Sequence, residues 1–236
     1  MKIALLGYGK MGRIIESLAP DEGGHVVLRV DRDNLQDLDQ LNTADVAIEF
    51  SQPESAPGNI LRCLEAGVPV VCGTTGWTGR LEEIKEYCDS KGGAFFYASN
   101  FSIGVNVFFA LNRFLAERMN QWPAYDVMLE EIHHTQKLDA PSGTAITLAG
   151  DIIRRLDRKE KWVNGETSDE KELSILSRRV DPAPGIHRVI YSSAIDEIEI
   201  RHEAFSREGF ARGALKAARW IIGRKGCFGM DDMLGF

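Results

Sequence analysis

The sequence has no run approaching the roughly 20 apolar residues that span a bilayer, so no membrane role is expected. It has no excess of positive charge either. Lys and Arg number 28 against 35 Asp and Glu, a formal net charge of -7, and no basic patch stands out. Such a molecule repels polyanions as a whole, which argues against a nucleic-acid partner and requires any anionic ligand to be held by local charge. Cysteine is scarce. Cys63, Cys72, Cys88 and Cys227 lie far apart in sequence with no Cys-x-x-Cys pair, suggesting neither a zinc site nor a disulfide framework. The opening "MKIALLGYGKMG" has too short an apolar run for a signal-peptide core and lacks a small-residue cleavage site. A reduced, cytoplasmic protein is the expectation.

What the sequence does have is rhythm. Its 236 residues, 44% hydrophobic, suffice for one large domain or two of moderate size. From residue 2 to about 100, "KIALLG", "HVVLRVD", "ADVAIEFS", "VPVVCGTT" and "GAFFYASN" are near-continuous apolar runs, as expected of parallel strands covered on both faces. Helical patterns lie between several of them, including Ile60, Leu61, Leu64 and then Leu81, Ile84, Tyr87, Cys88. This is βαβ alternation and predicts a doubly wound α/β sheet. "VNVFFALNRFLAERM" then predicts a helix, "YDVMLEEIHH" a strand, and "GTAITLAGDIIRRL" a second helix. The stretch from Asp157 to Glu172 is polar and reads as a mobile surface loop. Beyond it Ile198, Ile200 and His202 alternate with Glu197, Glu199, Arg201 and Glu203, a period of two that predicts an antiparallel sheet with one dry face in a second domain. The last pattern, "FARGALKAARWIIG", is helical and is placed back on the first domain. No internal repeat or low-complexity segment is present.

Three motifs carry chemistry. "GYGKMG" follows the first strand and opens the first helix: Gly7 permits the turn, Gly9 lets backbone approach a pyrophosphate, and Gly12 lets helix pack closely on strand. Asp31 ends the second strand, where a carboxylate meets the adenosine ribose, while the neighbouring Arg32 suits a 2′-phosphate, so NADH and NADPH both remain open. The alternative is a purely structural glycine turn. "CGTTG" with Gly73, Thr74 and Thr75, and "ASNF" with Ala98, Ser99, Asn100 and Phe101, follow later strands of the same sheet, at the end where ligands of open α/β sheets lie; otherwise they are ordinary turns. The third is "EEIHHTQKLDAPSGTA". Adjacent His133 and His134 on a strand point to opposite faces and match no zinc-protease or facial-triad spacing, so no metal is expected. A structural histidine pair is one reading. The other is an anion site, in which Lys137 brings a charge, a histidine a proton, and Ser142, Gly143 and Thr144 the donors of a helix start whose turn Pro141 pre-sets. That constellation suits reduction of a small dicarboxylate, with hydride from one side and a proton from the other.

With these residues, "HHTQKLDAPSGTA" resembles the substrate signature of the dihydrodipicolinate reductases of lysine biosynthesis. The likeness extends through "GYGKMGR", "EFSQPE", "CGTTG", "ASNFSIGVN" and "GIHRVIYSSAIDEIEIRHEAFSREGFARGA". The resemblance implies a Rossmann domain from residues 1–103 and 212–236, and a substrate domain over 104–211 whose open mixed or antiparallel sheet builds a homotetramer. It implies His133 as proton donor or acceptor, Lys137 as proton donor, and His134, Ser142, Gly143 and Thr144 as substrate-binding residues. Gly7, Tyr8, Gly9, Lys10, Met11, Gly12, Asp31, Arg32, Gly73, Thr74, Thr75, Ala98, Ser99, Asn100 and Phe101 are implied as contacts of NADH or NADPH. Hinges are expected near Ser102 to Val105 and Glu208 to Ala211. The chain departs from the family pattern in being somewhat shorter, in Tyr8-Gly9-Lys10 for the frequent Ala-x-Gly-Arg form, and in Ser51 where Thr is usual. An aspartate-type dehydrogenase and a silent dinucleotide sensor are the competing readings.

Overall fold

A computed structural model describes residues 1–236. The chain divides into two compact units, one of residues 1–103 and 208–236, the other of residues 104–207. The chain leaves the second unit at Arg207 and not at 211, because Glu208 to Ala211 already form the first turn of a helix that belongs wholly to the first.

In the first unit, β1 (Lys2–Leu6), β2 (His25–Val30), β3 (Val46–Glu49), β4 (Val70–Cys72) and β5 (Ala94–Tyr97) are the five apolar runs of the sequence. A sixth strand, β11 (Gly226–Phe228), pairs parallel with β5, giving the order β11-β5-β4-β3-β1-β2. Gly226, Cys227 and Phe228 make no apolar run, which is why β11 is invisible in sequence. In β1, β3, β4 and β5 the near-continuous apolar runs are explained by two covered faces. Ile3, Leu5, Ile48, Val71 and Phe96 pack in one core with α1 (Lys10–Leu18) and α6 (Glu208–Ile221). Their neighbours Ala4, Leu6, Ala47, Val70 and Phe95 pack in another with α2 (Ala56–Glu65) and α3 (Leu81–Lys91). α6 approaches so closely that a Cβ at Gly213 would lie 1.8 Å from the Phe101 carbonyl oxygen. A short α7 (Met230–Leu234) follows β11. The cysteines do not all stay apart: α3 and β11 bring the sulfurs of Cys88 and Cys227 within 4.8 Å, with a carboxylate oxygen of Asp89 beside them, and both thiols are free.

The second unit is a five-stranded mixed sheet in the order β10-β9-β6-β8-β7. β6 (Asp126–His133) runs antiparallel to β9 (Ile186–Ser192), which is antiparallel to β10 (Glu197–Glu203), and parallel to β8 (Glu172–Arg179). The sheet is therefore mixed, with only its β6, β9 and β10 half antiparallel. The segment predicted as a mobile loop is corrected: it contains β7 (Lys161–Asn164), paired parallel with β8. Backbone bonds to one neighbour order an edge strand without an apolar face, and flanking pairs such as Lys171 to Glu160 at 2.8 Å add to them. α4 (Ile103–Met119) and α5 (Gly143–Ile153) supply Phe108, Phe109, Leu148 and Ile152 to a core that includes Val127 and Leu129 of β6, Ile175 of β8, and Val189 and Tyr191 of β9. Strand parity then puts Glu131, His133, Arg179 and His187 on that same covered side. The expected dry face of β10 is only half dry, with Ile200 packed on this core and Ile198 39% exposed, because β10 is the sheet's edge.

Candidate active site

The glycine loop in the first unit is built around an absence of side chains. Gly7 has φ +94, and a Cβ there would lie 2.3 Å from the Phe50 carbonyl oxygen; one at Gly12 would lie 2.4 Å from the Gly7 carbonyl oxygen. Gly9, the residue before α1, faces open space. No side chain caps α1 and no acid stands in its first turn, so the helix presents bare N–H groups and positive dipole there. Those features fit a pyrophosphate. Tyr8 lies across the outside of the helix, its hydroxyl donating to Glu16, which also receives Arg29; Lys10 is exposed and Met11 half-buried. Asp31 accepts the Arg32 backbone N–H at 2.9 Å, and the Arg32 side chain is open to solvent.

The two later loops differ from each other. Phe50 fills the space over Gly73, where a Cβ would fall 2.2 Å from its ring. Thr74 is buried with its hydroxyl unpartnered, and its carbonyl receives the Trp77 indole N–H at 2.7 Å, while Thr75 is exposed. Ala98 is tied by its N–H to the Cys72 carbonyl at 3.2 Å, and Ser99 is exposed with Asn100 half-buried beside it. Phe101 is a core residue, 1% exposed and stacked 5.8 Å from Phe96, so only its backbone can reach a ligand.

The opening of α5 gathers the third motif. Ser142 is its N-cap, the hydroxyl oxygen accepting the Ala145 N–H at 3.2 Å, which leaves the N–H groups of Gly143 and Thr144 with no acceptor in the helix. The Ser142 N–H is bound instead by both oxygens of Glu131, at 3.2 and 3.0 Å. Lys137 ion-pairs with Asp139 at 2.7 Å. Arg179 holds the backbone of this loop, donating to the Lys137 carbonyl at 3.2 Å and the Asp139 carbonyl at 2.6 Å. His133 is buried, whereas His134 is half-exposed and its carbonyl closes the turn by accepting the Lys137 N–H at 3.1 Å.

Sequence reasoning missed three residues of this cluster. Glu131 is 0% exposed, and its carboxylate lies 3.7 Å from His133 Nδ1, 3.7 Å from His187 Nε2 and 3.6 Å from the Arg179 guanidinium. His187 Nε2 also meets the Ser142 hydroxyl at 3.1 Å. The available signal was register: Glu131 pairs with His187 across β6 and β9, and although both fall in quoted stretches, nothing local links one to the other. Burial works to raise the Glu131 carboxyl, and the donors of Ser142 outweigh it, leaving it below the usual range. Burial pushes His133 below its ordinary value, with Glu131 partly opposing and Lys137 and Arg179 reinforcing the fall. His187 is pushed down to about 3, first by burial and then by the nearby His133. Both imidazoles are therefore neutral near pH 7 beside an ionised carboxylate. Glu131, His133 and His187 offer three donor atoms within 4.8 Å, a metal-like spacing, but both carboxylate oxygens already accept a hydrogen bond and Arg179 adds a positive charge.

The chain matches family models along nearly its whole length: residues 1–101 match the model of the dihydrodipicolinate reductase N-terminus, and residues 104–234 that of the C-terminus. It is 48% identical to the 4-hydroxy-tetrahydrodipicolinate reductase of Christiangramia forsetii, covering 99% of this chain and 98% of that one. Its identity to the enzyme of the same name from Archaeoglobus fulgidus is 34%, covering 99% and 100%. The fold matches a dipicolinate-bound dihydrodipicolinate reductase from Paenisporosarcina with a TM-score of 0.81, at 23% identity over 99% of both chains. An aspartate dehydrogenase from Thermotoga maritima matches with a TM-score of 0.50, at 18% identity over 93% of this chain and 95% of that one.

Proposed function

The chain belongs to the dihydrodipicolinate reductase family, and from that premise we propose that it reduces 4-hydroxy-tetrahydrodipicolinate to tetrahydrodipicolinate with NADH or NADPH. It is an oxidoreductase of amino-acid biosynthesis. The nicotinamide cofactor supplies the hydride. The bare start of α1, with Gly7, Gly9 and Gly12, holds its pyrophosphate, and Asp31 with Arg32 meets the adenosine ribose. Both of those side chains are solvent-exposed and neither excludes the other's partner, which supports use of either dinucleotide.

The N–H groups of Gly143 and Thr144 take a substrate carboxylate at the positive end of α5, with His134 and the Ser142 hydroxyl beside it. Loss of the 4-hydroxyl group as water leaves an unsaturated ring, and as hydride adds to it electron density moves toward the ring nitrogen and carboxylate. The Lys137 ammonium lowers the energy of that charge and delivers the proton to the enamine-like carbon. His133, neutral near pH 7, exchanges the proton with Lys137 or the substrate. A homotetramer formed through the open sheet of the second unit accompanies this reading. The face of that sheet opposite its helices carries Met128, Ile132, Leu176 and Ile190, none of them in the cluster packed against α4 and α5.

The observation that carries the reading is the start of α5, where two unclaimed N–H groups follow a loop that holds the Lys137 ammonium. The test is turnover: the purified protein should oxidise NADH or NADPH when given the condensation product of pyruvate and aspartate semialdehyde. Lys137→Ala should lower kcat by orders of magnitude with dinucleotide affinity kept. Turnover of oxaloacetate and ammonia in place of that substrate, or dinucleotide binding with no turnover, would overturn it.

A further inference from the structure

One buried carboxylate meets Ser142 and His133 directly and reaches the Lys137 loop through Arg179. Glu131 accepts the Ser142 N–H at both oxygens, fixing the start of α5 from beneath. It faces His133 Nδ1 at 3.7 Å, and no hydrogen bond claims that nitrogen although it is buried. It lies 3.6 Å from Arg179, whose guanidinium in turn holds the carbonyls of Lys137 and Asp139. His187 closes the ring of contacts, reaching Glu131 on one side and the Ser142 hydroxyl on the other. On the far side of the His133 ring there is no slack: a Cβ at Gly185 would fall 3.2 Å from Nε2. A side chain with no solvent exposure would ordinarily be apolar, since burying a carboxylate is costly unless donors surround it.

We propose that Glu131 is the positioning residue of this site, a single anion that sets the His133 ring, the α5 start and, through Arg179, the Lys137 loop in one mutual geometry. The proposal rests on the reading of Lys137 and the α5 start given above. Glu131 meets no substrate; it acts through its neighbours. Because the carboxylate is the acceptor nearest Nδ1, the neutral imidazole carries its proton on Nδ1 and keeps Nε2 as the lone pair. The charged and titratable groups around that ring are Glu131 on β6, Arg179 on β8, His187 on β9, and Lys137 and Asp139 on the loop before α5.

Glu131→Gln keeps the shape and one acceptor for Ser142 but removes the charge. It should lower kcat at least tenfold, leave dinucleotide Kd within twofold, and move the acidic limb of the kcat/KM profile to lower pH, because His133 loses the anion that favours its protonated form. Glu131→Asp should restore the position of that limb even where kcat stays low. A purely structural role would lower the melting temperature and the amount of active enzyme without displacing the limb. Arg179→Gln, which leaves the carboxylate in place, should raise substrate KM and lower kcat through the Lys137 loop, and it reads the same network if Glu131→Gln fails to fold. Wild-type kcat and an unmoved limb in Glu131→Gln, with Lys137→Ala inactive, would overturn the proposal alone; wild-type kcat in Arg179→Gln would do the same. A fully active Lys137→Ala would overturn the reading beneath it.

Discussion

At the scale of single residues the second unit is governed by what burial does to charge. His187 and His133 sit neutral because desolvation disfavours their protonated forms, and Glu131 stays ionised because donors outweigh the same effect. This has a consequence for stability. The folded His187 titrates at about 3 against an ordinary value of 6.5, so between those limits the unfolded chain binds the extra proton. Its contribution is fully present above pH 6.5 and is lost as pH falls toward 3, at a slope approaching about 1.4 kcal/mol per pH unit. Urea unfolding followed across that range should show this decline, and His187→Gln should flatten it by about one proton's worth. An unchanged slope in the variant would mean that His187 is protonated in the folded state. The sequence named His133 and Lys137 as candidates and gave Glu131 no role. A carboxylate next to two histidines reads first as a metal ligand, and only its burial and partners reveal an anchor.

At the scale of elements, the first unit separates two uses of glycine that sequence merges into one fingerprint. Gly7 and Gly12 are required by the fold itself, since a Cβ at either would press on backbone oxygen, whereas Gly9 faces open space before α1. Gly9→Ala should therefore fold with an unchanged melting temperature yet lose dinucleotide affinity at least tenfold by fluorescence titration, because the added methyl enters the space of the phosphates. Gly12→Ala should lose both affinity and melting temperature. If Gly9→Ala bound dinucleotide as well as wild type, the pyrophosphate would lie elsewhere. The strands β1, β3, β4 and β5 were readable because burial on both faces writes itself as unbroken apolar runs. β7 and β11 were not. β7 is held by backbone bonds to its one neighbour, and β11, Gly226–Phe228, carries no apolar run, so neither leaves a mark in side-chain periodicity.

At the scale of the whole molecule, the face of the mixed sheet opposite its helices is the one the proposed homotetramer would use. Met128, Ile132, Leu176 and Ile190 share it with ion pairs of Arg188 to Glu130 at 2.6 Å and Arg178 to Glu130 at 2.6 Å. Light scattering should give a mass near four times 26.2 kDa, and Leu176→Arg should yield a smaller species that still binds dinucleotide. A monomer at all concentrations would remove the tetramer from the account. The sequence by itself determined the doubly wound sheet, the glycine loop and the start of α5, and it named His133 and Lys137 ahead of that helix as candidates, because each is written in residues close enough to form a local period or turn. Tertiary structure alone decided that Glu131, Arg179 and His187 meet. Those residues come from three strands, and only their pairing register places them on one covered face. It also decided that Phe101 packs in the core, since an aromatic after a strand reads alike as core or contact until its neighbours are known.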